Sequence, residues 1–331
     1  MIISRTPYRI SLFGGGTDYP TWYRKHGGKV LATTIDKYLY ITVRRLHPYF
    51  KHRLRLVYSV IEECQSCEEL KHPAAREVLR YLGVRQDVEI HYDGDLPGRS
   101  GMGSSSAFTV GLLNGLSEYL NRNSTPYTLA EESIHIEQQI IGESVGSQDQ
   151  VSAAHGGFNI IEFQKNDVIA ISQLEATKDR VEQLNDHLML FYTGESRIAE
   201  TISTSYLQTL NLQKDKLFRL YDMVEEAQEC ISGDRDLCRI GELLDESWVL
   251  KRSLSDIVSN ENIDAYYSAA KSAGALGGKL TGAGGGGMLL LFVRPENQQS
   301  VCKTLSHLLH IPFRFETTGS QIIFSDSRTQ S

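Results

Sequence analysis

The segment Leu96–Ala107, LPGRSGMGSSSA, constrains this chain more than any other. Gly101 and Gly103 permit backbone angles closed to other residues. Three serines then open a stretch that puts Phe108, Leu112, Leu113, Leu116 and Leu120 on one helical face. A helix starting near Ser104 turns unpaired N–H groups and the positive end of its dipole toward the loop before it. Loop and helix start together form an anion cradle, with the serine hydroxyls as further donors or as metal ligands. The pattern is not a Rossmann fingerprint, because Ser106 stands where the third glycine of G-x-G-x-x-G would fall. A serine-rich cap with no ligand is the plainer alternative.

Two more glycine segments flank apolar strands. Pro7–Tyr19, PYRISLFGGGTDY, is a strand ending in three glycines. Gly277–Gly287, GGKLTGAGGGG, runs into the apolar strand Met288–Val293. Glycines at strand ends let the backbone approach a ligand or another segment closely, though each segment alone is also readable as a tight turn. Lys279 invites a P-loop reading. That reading fails, because Ala273 stands where its first glycine should be and Leu280 replaces the required Ser or Thr.

Around these segments the chain alternates strands and helices. Leu39, Ile41 and Val43 alternate with Tyr38, Tyr40 and Thr42, the period of a half-buried strand. Leu54–Tyr58, Val88–Tyr92, Gly157–Phe163, Val168–Leu174, Leu188–Tyr192 and Gln321–Phe324 also read as strands. His72–Leu82 reads as a helix stopped by Gly83. Another helix is expected from Thr128, where Thr-Leu-Ala-Glu has the form of a capping box, to near Gly142. Residues 197–272 read as mostly helical, and Gln298–Leu309 as a helix. The fold class is α+β, with mixed and antiparallel sheets and helical layers. A length of 331 residues allows two domains, expected at 1–175 and 176–331.

Composition excludes some partners. The net charge is −7 with no basic run, which argues against nucleic acid. No apolar stretch approaches the ~20 residues of a membrane span, and the N-terminus lacks a signal-peptide core, so a cytoplasmic place and no membrane partner are expected. Cys64 and Cys67 form a lone C-x-x-C without a second pair for zinc and without a strand–helix redox setting, so all five cysteines are read as reduced structural thiols.

One carboxylate stands out on chemical grounds. Glu137 lies among Ile134, Ile140 and Ile141 on a helix face, where a charge is costly to bury unless it is paired or binds a metal. An internal salt bridge is the alternative.

The three glycine segments, in this order, resemble the GHMP small-molecule kinase superfamily of galactokinase, homoserine kinase, mevalonate kinase and phosphomevalonate kinase. That family carries P-x-x-x-G-L-G-S-S at its centre, and here Pro97–Ser105 matches with Met102 in place of leucine. The resemblance spans about residue 5 to about 293. It implies two domains with an active site in the cleft between them. It implies ATP phosphates on Pro97, Gly98, Arg99, Ser100, Gly101, Met102, Gly103, Ser104, Ser105 and Ser106, and Mg2+ held by Ser104 and Glu137. Asp149 in Gly146–Gln150 matches the catalytic base of a galactokinase G-x-x-D-Q, and Arg9 matches the arginine that pairs with the base and steadies the transferring phosphoryl. Gly15, Gly16, Thr17 and Asp18 match the sugar-binding G-E-H-T-D-Y of galactokinases, but Gly15 and Gly16 replace the Glu-His pair and cannot make its contacts.

Five local patterns further resemble the D-glycero-D-manno-heptose 7-phosphate kinases: Arg9–Asp18, Val145–Gln150, Thr193–Arg197, Trp248–Lys251 and Gly274–Gly287. This implies a sugar-phosphate substrate phosphorylated at its anomeric hydroxyl. Arg197, Lys251, Arg252 and Lys279 are the candidate cations for the substrate's phosphate, with Gly284 and Gly285 beside them. By position in the family fold, adenine is placed near residues 58–84. The alternatives are a fucokinase- or galactokinase-like enzyme acting at C1, and a non-catalytic sugar and ATP sensor. A homodimer is left open.

Overall fold

The structure, a computed structural model, describes residues 1–195 and 213–326. Strand β1 (Ile2–Phe13) runs antiparallel to β2 (Gly28–Arg45). At 18 residues β2 is long enough to serve several partners. Its start pairs with β6 (Asn159–Phe163), and its end pairs with β5 (Val88–Gly94). Parallel to β5 lies β3 (Leu54–Val57), followed by β4 (Ile61–Cys64). β7 (Ile169–Gln173) extends the sheet from β6, which has nine strands among the described residues. Burial follows the expected period: Leu39, Ile41 and Val43 are buried, while Tyr38, Tyr40 and Thr42 are partly open. Toward its start, β2 is buried on both faces, and helices pack on the sheet. These are α3 (Ser104–Tyr119) and α5 (Gln148–His155), beside α2 (Pro73–Tyr81) and α4 (Pro126–His135).

The second sheet is antiparallel. Its order is β11 (Leu309–His310), β8 (Leu188–Tyr192), β10 (Met288–Val293) and β9 (Ala275–Leu280). Every residue of β10 is buried, as a six-residue apolar run requires. The other elements of this half are α1 (Pro20–His26) at the junction, then α6 (Lys178–Asp186), α7 (Lys214–Ser232), α8 (Cys238–Arg252), α9 (Glu261–Ser272) and α10 (Gln298–Thr304). The class is α+β with mixed and antiparallel sheets, as the sequence implies.

Four details differ from the sequence reading. The capping box lies three residues earlier: the Thr125 hydroxyl accepts the Thr128 N–H at 3.2 Å, and the Thr128 hydroxyl accepts the Thr125 N–H at 2.9 Å. The same helix widens into a π turn over Ile136–Ile141 before Gly142 ends it. Gly277–Leu280 is a strand and not a loop, with Lys279 opposite Leu290. Helix α10 stops at Thr304, and Leu309 instead pairs with Tyr192.

The closing strands β12 (Phe315–Glu316) and β13 (Gln321–Ser325) return to β2 and β1 of the first sheet, which a single cut after residue 175 does not capture. A second tie between the halves is Lys29 on β2. Its Nζ lies 3.0 Å from Glu162 on β6 and 2.9 Å from Glu225 on α7. The five cysteines are free. Burial pushes the Cys64 thiol up to about 11 and raises Cys67, which suits inert packing thiols.

Candidate active site

Helix α3 starts at Ser104 behind Gly103, which offers no side-chain cap, so the first N–H groups of the helix stay open toward the loop. Arg99, Gly101, Gly103, Ser104, Ser105 and Ser106 line a cavity there. Its opposite wall is the third glycine segment, through Gly282, Ala283, Gly284 and Gly286. The two loops interlock. A Cβ on Gly101 would fall 2.5 Å from the Thr281 carbonyl oxygen, and one on Gly282 would fall 2.7 Å from the Gly101 Cα. The Met288 N–H donates to the Ser100 carbonyl at 3.1 Å. The close packing read into those glycines is thus loop against loop. Pro97 and Gly98 form an exposed turn, and Ser100 and Met102 are buried. These four shape the loop and do not line the cavity.

Charged groups meet at the cradle's mouth. Arg9 is buried on β1, and its guanidinium donates to both Asp149 carboxylate oxygens, each at 2.6 Å. Its third nitrogen donates to the Gly101 carbonyl at 2.7 Å, so one side chain ties the carboxylate to the cradle. Asp149 sits in the first turn of α5, and its side chain is 24% exposed, open enough to meet a substrate. Asp18 is buried beside it. It accepts the Gly16 N–H and the Gln148 amide, both at 2.9 Å. Gly146 must be glycine, because a Cβ there would fall 1.9 Å from Asp18 Oδ2. Burial raises the Asp18 carboxyl, and the nearby Asp149 charge adds to this against the two hydrogen bonds.

The lysines converge on the same spot. Lys251, on α8, donates to the Gly282 carbonyl. Enclosure by protein and then the Arg9 charge push it down to about 8. Lys279, on β9, donates to the Leu12 carbonyl at 3.0 Å, and burial with the Lys251 and Arg9 charges holds it well below its usual range. Three basic groups thus face two carboxylates within one cavity.

Other residues singled out in the sequence have different roles. The Thr17 hydroxyl is spent inside the protein, donating to the Gly14 and Lys29 carbonyls, so it pins the loop. Gly15, Gly16 and Gly284 line the cavity, whereas the Gly285 N–H donates to the Val258 carbonyl at 2.8 Å and holds the loop's shape. Arg252 pairs with Asp264 at 2.7 Å on the surface and does not line the cavity. Arg197 lies outside the described residues.

Glu137 sits on the π turn and is buried, with Oε2 accepting from the Ser106 hydroxyl at 2.9 Å and from the Gln150 amide. Its Oε1 has no partner. Burial pushes this carboxyl up to about 7, with the Glu143 charge adding to it and the nearby polar groups of Thr109, Gln150 and Ser106 opposing it. An orphaned buried carboxylate oxygen next to helix-start hydroxyls is a hard oxygen donor set of the kind Mg2+ takes, and such sites complete themselves with water and nucleotide phosphates. No cluster of three His, Cys, Asp or Glu is present among the described residues, so no all-protein metal cage competes with that fit. The serine beside Glu137 is Ser106. Ser104 instead accepts the Arg99 N–H at 3.3 Å.

Ser11 and Gln148, which also line the cavity, escaped the sequence reading. A signal was available for each. Ser11 is two residues from Arg9 on a strand and so shares its face, and Gln148 precedes Asp149 at a helix start.

Comparison with known proteins agrees with this geometry. Residues 69–157 match the GHMP kinase N-terminal domain, and residues 223–309 match the GHMP kinase C-terminal domain. The chain is 29% identical over 323 residues to the D-glycero-alpha-D-manno-heptose 7-phosphate kinase of Campylobacter jejuni, covering 92% of this chain and 93% of that protein. It is 24% identical to the bifunctional fucokinase/GDP-fucose pyrophosphorylase of Arabidopsis thaliana, covering 87% of this chain and 29% of that protein. The crystal structure of a D-glycero-D-manno-heptose 1-phosphate kinase from Bacteroides thetaiotaomicron shares the fold, with a TM-score of 0.80 at 23% identity over 99% of this chain and 100% of that one. No helix among the described residues is long and apolar enough to cross a membrane. With both family domains matched across more than half of its 331 residues, this chain belongs to the GHMP kinases.

Proposed function

We propose that this kinase transfers the γ-phosphoryl of ATP to the anomeric (C1) hydroxyl of a sugar phosphate. The substrate is D-glycero-D-manno-heptose 7-phosphate and the product its 1,7-bisphosphate. The observation that carries the proposal is the Arg9–Asp149 pair, held by two 2.6 Å bonds at the mouth of the glycine–serine cradle. The Campylobacter jejuni relative, matched over nearly its full length, supports the choice of sugar.

In this reading the ATP phosphates rest on the N–H groups and hydroxyls of Gly101–Ser106. Asp149 takes the proton of the attacking hydroxyl. Arg9 holds that carboxylate and, anchored on the Gly101 carbonyl, stands between base and phosphates. Lys251 and Lys279 neutralise the charge that spreads over the transferring phosphoryl. They serve the reaction centre, and the substrate's own phosphate reaches past them. Asp18, beside Gly15 and Gly16, orients the sugar. Glu137 and Ser104 would hold Mg2+, with Ser106 and Gln150 fixing the Glu137 carboxylate. Bound there, the ion supplies charge neutralisation at the nucleotide phosphates. Adenine lies toward the aromatic cluster where His72 packs on Phe108, with ring centroids 4.6 Å apart, and on Tyr58 at 5.1 Å.

The test is Asp149→Ala with ATP and heptose 7-phosphate. Loss of the base should lower kcat by about 100- to 10,000-fold while circular dichroism still reads a folded protein. A variant with near wild-type kcat ends the assignment. A panel of free sugars against sugar phosphates separates this reading from the fucokinase-like one that the plant relative supports. Steady ADP release by the wild type excludes a sensor.

A further inference from the structure

Two buried polar atoms in the active-site cavity have no partner in the protein: Ser11 Oγ and Gln148 Oε1. Ser11 is 5% exposed and Gln148 is 8% exposed. Buried polar atoms are nearly always satisfied, so a pair of orphans lining one cavity calls for a ligand. They lie around one spot. A point one bond from the Gly15 Cα is 3.4 Å from Ser11 Oγ and 3.7 Å from Gln148 Nε2. Gly15 therefore leaves room for a group of about one heavy atom between the Ser11 and Gln148 side chains.

The chemistry of the niche follows from Asp18. The Gln148 Nε2 donates to Asp18 Oδ2 at 2.9 Å. A reversed amide would set its oxygen against that carboxylate, so the orientation is fixed. Oε1 is left without a partner and can only accept. Its partner must be a donor, and a phosphate or carboxylate oxygen there would be repelled. The Ser11 hydroxyl can donate or accept. A substrate hydroxyl that donates to Gln148 and accepts from Ser11 satisfies both.

We infer that Ser11 and Gln148 form a hydroxyl-reading niche that selects the acceptor sugar, by binding a hydroxyl other than the one phosphorylated. The inference rests on the sugar-kinase reading above and deepens it. A sugar lacking that hydroxyl leaves two buried polar groups unpaired, which is how a site rejects a deoxy analogue strongly.

The experiment is steady-state kinetics at saturating ATP, with D-glycero-D-manno-heptose 7-phosphate and its 2-deoxy and 3-deoxy analogues, on the wild type, Ser11→Ala, Gln148→Leu and Gly15→Ala. Wild type should prefer the parent sugar over one analogue by roughly 10- to 100-fold in kcat/KM. Ser11→Ala and Gln148→Leu should each lose roughly 3- to 10-fold in kcat/KM for the parent sugar but little for that analogue, so the preference shrinks, while KM for ATP stays constant. Gly15 is not in the left-handed region, and an added methyl meets only ordinary contacts. Gly15→Ala should therefore keep its melting temperature and raise the sugar KM alone. It carries the test if Gln148→Leu fails to fold. A preference unchanged in these variants, or an equal loss with every sugar, overturns the inference and leaves the kinase reading standing. A wild type inactive on every sugar phosphate overturns both.

Discussion

Lys251 stands at the Gly282 carbonyl with Arg9, Asp18 and Asp149 around it. Desolvation and the Arg9 charge set its ammonium at about 8, so the free enzyme holds it partly neutral in mild alkali. An incoming phosphate favours the charged form and draws a proton onto it. Ligand binding should therefore take up a proton near pH 8, and the KM for the phosphorylated ligand should rise as pH climbs through 8. In Lys251→Met that alkaline limb should vanish. Calorimetry in buffers of different ionisation enthalpy reads the proton directly. Stability has the opposite trend. The folded pKa lies below the unfolded one, so between about 8 and the ordinary lysine range the unfolded chain binds more protons, and this group adds stability as pH rises. The sequence named Arg9, Asp18, Asp149 and Glu137, because each has a motif position or an odd place on an apolar face. It did not separate Ser104 from Ser106. Which hydroxyl meets Glu137 depends on the phase of α3 against a π turn, and no local pattern carries that phase.

The helix carrying Glu137 shows the same limit one level up. Its start was read at Thr128 from a Thr-x-x-Glu pattern, although Pro126 in the first turn and Thr125 before it were the better signals. Thr125→Ala should therefore lower stability by about 1 kcal/mol in urea unfolding, while Glu131→Ala should change it by less than about 0.5 kcal/mol. A loss at Glu131 equal to that at Thr125 would restore the later start. The π turn over Ile136–Ile141 was not legible either, since its residues have the same apolar spacing as an ordinary helix end. Strands such as β10 were legible to the residue, because a fully buried run needs no partner's identity to be recognised. β9 was not, as its glycines read as loop until Leu291 and Phe292 stand opposite them.

Across the whole molecule, the least legible features are those joining distant segments. Lys29 meets Glu225 nearly 200 positions away, and its ammonium lies over the Tyr221 ring, 5.2 Å from the centroid. Both glutamates are about half exposed, so water takes over much of their solvation when the lysine is lost. Lys29→Met should cost only about 1 kcal/mol by thermal melt, with the apolar stem retained. A loss several times larger would mean that this tie, and not the shared sheet, holds the halves together. The return of β13 to β1 was equally hidden, since Gln321–Ser325 reads as a strand without saying whose neighbour it becomes.

The interlock of Gly101 with Thr281 and Gly282 also bears on how the chain is made. A ribosome delivers the serines that open α3 long before it delivers Thr281 or Met288, so a nascent chain carries that helix without the segment that backs its loop. On the proposed reading, the loop takes its nucleotide-binding shape only after the last third of the chain has docked.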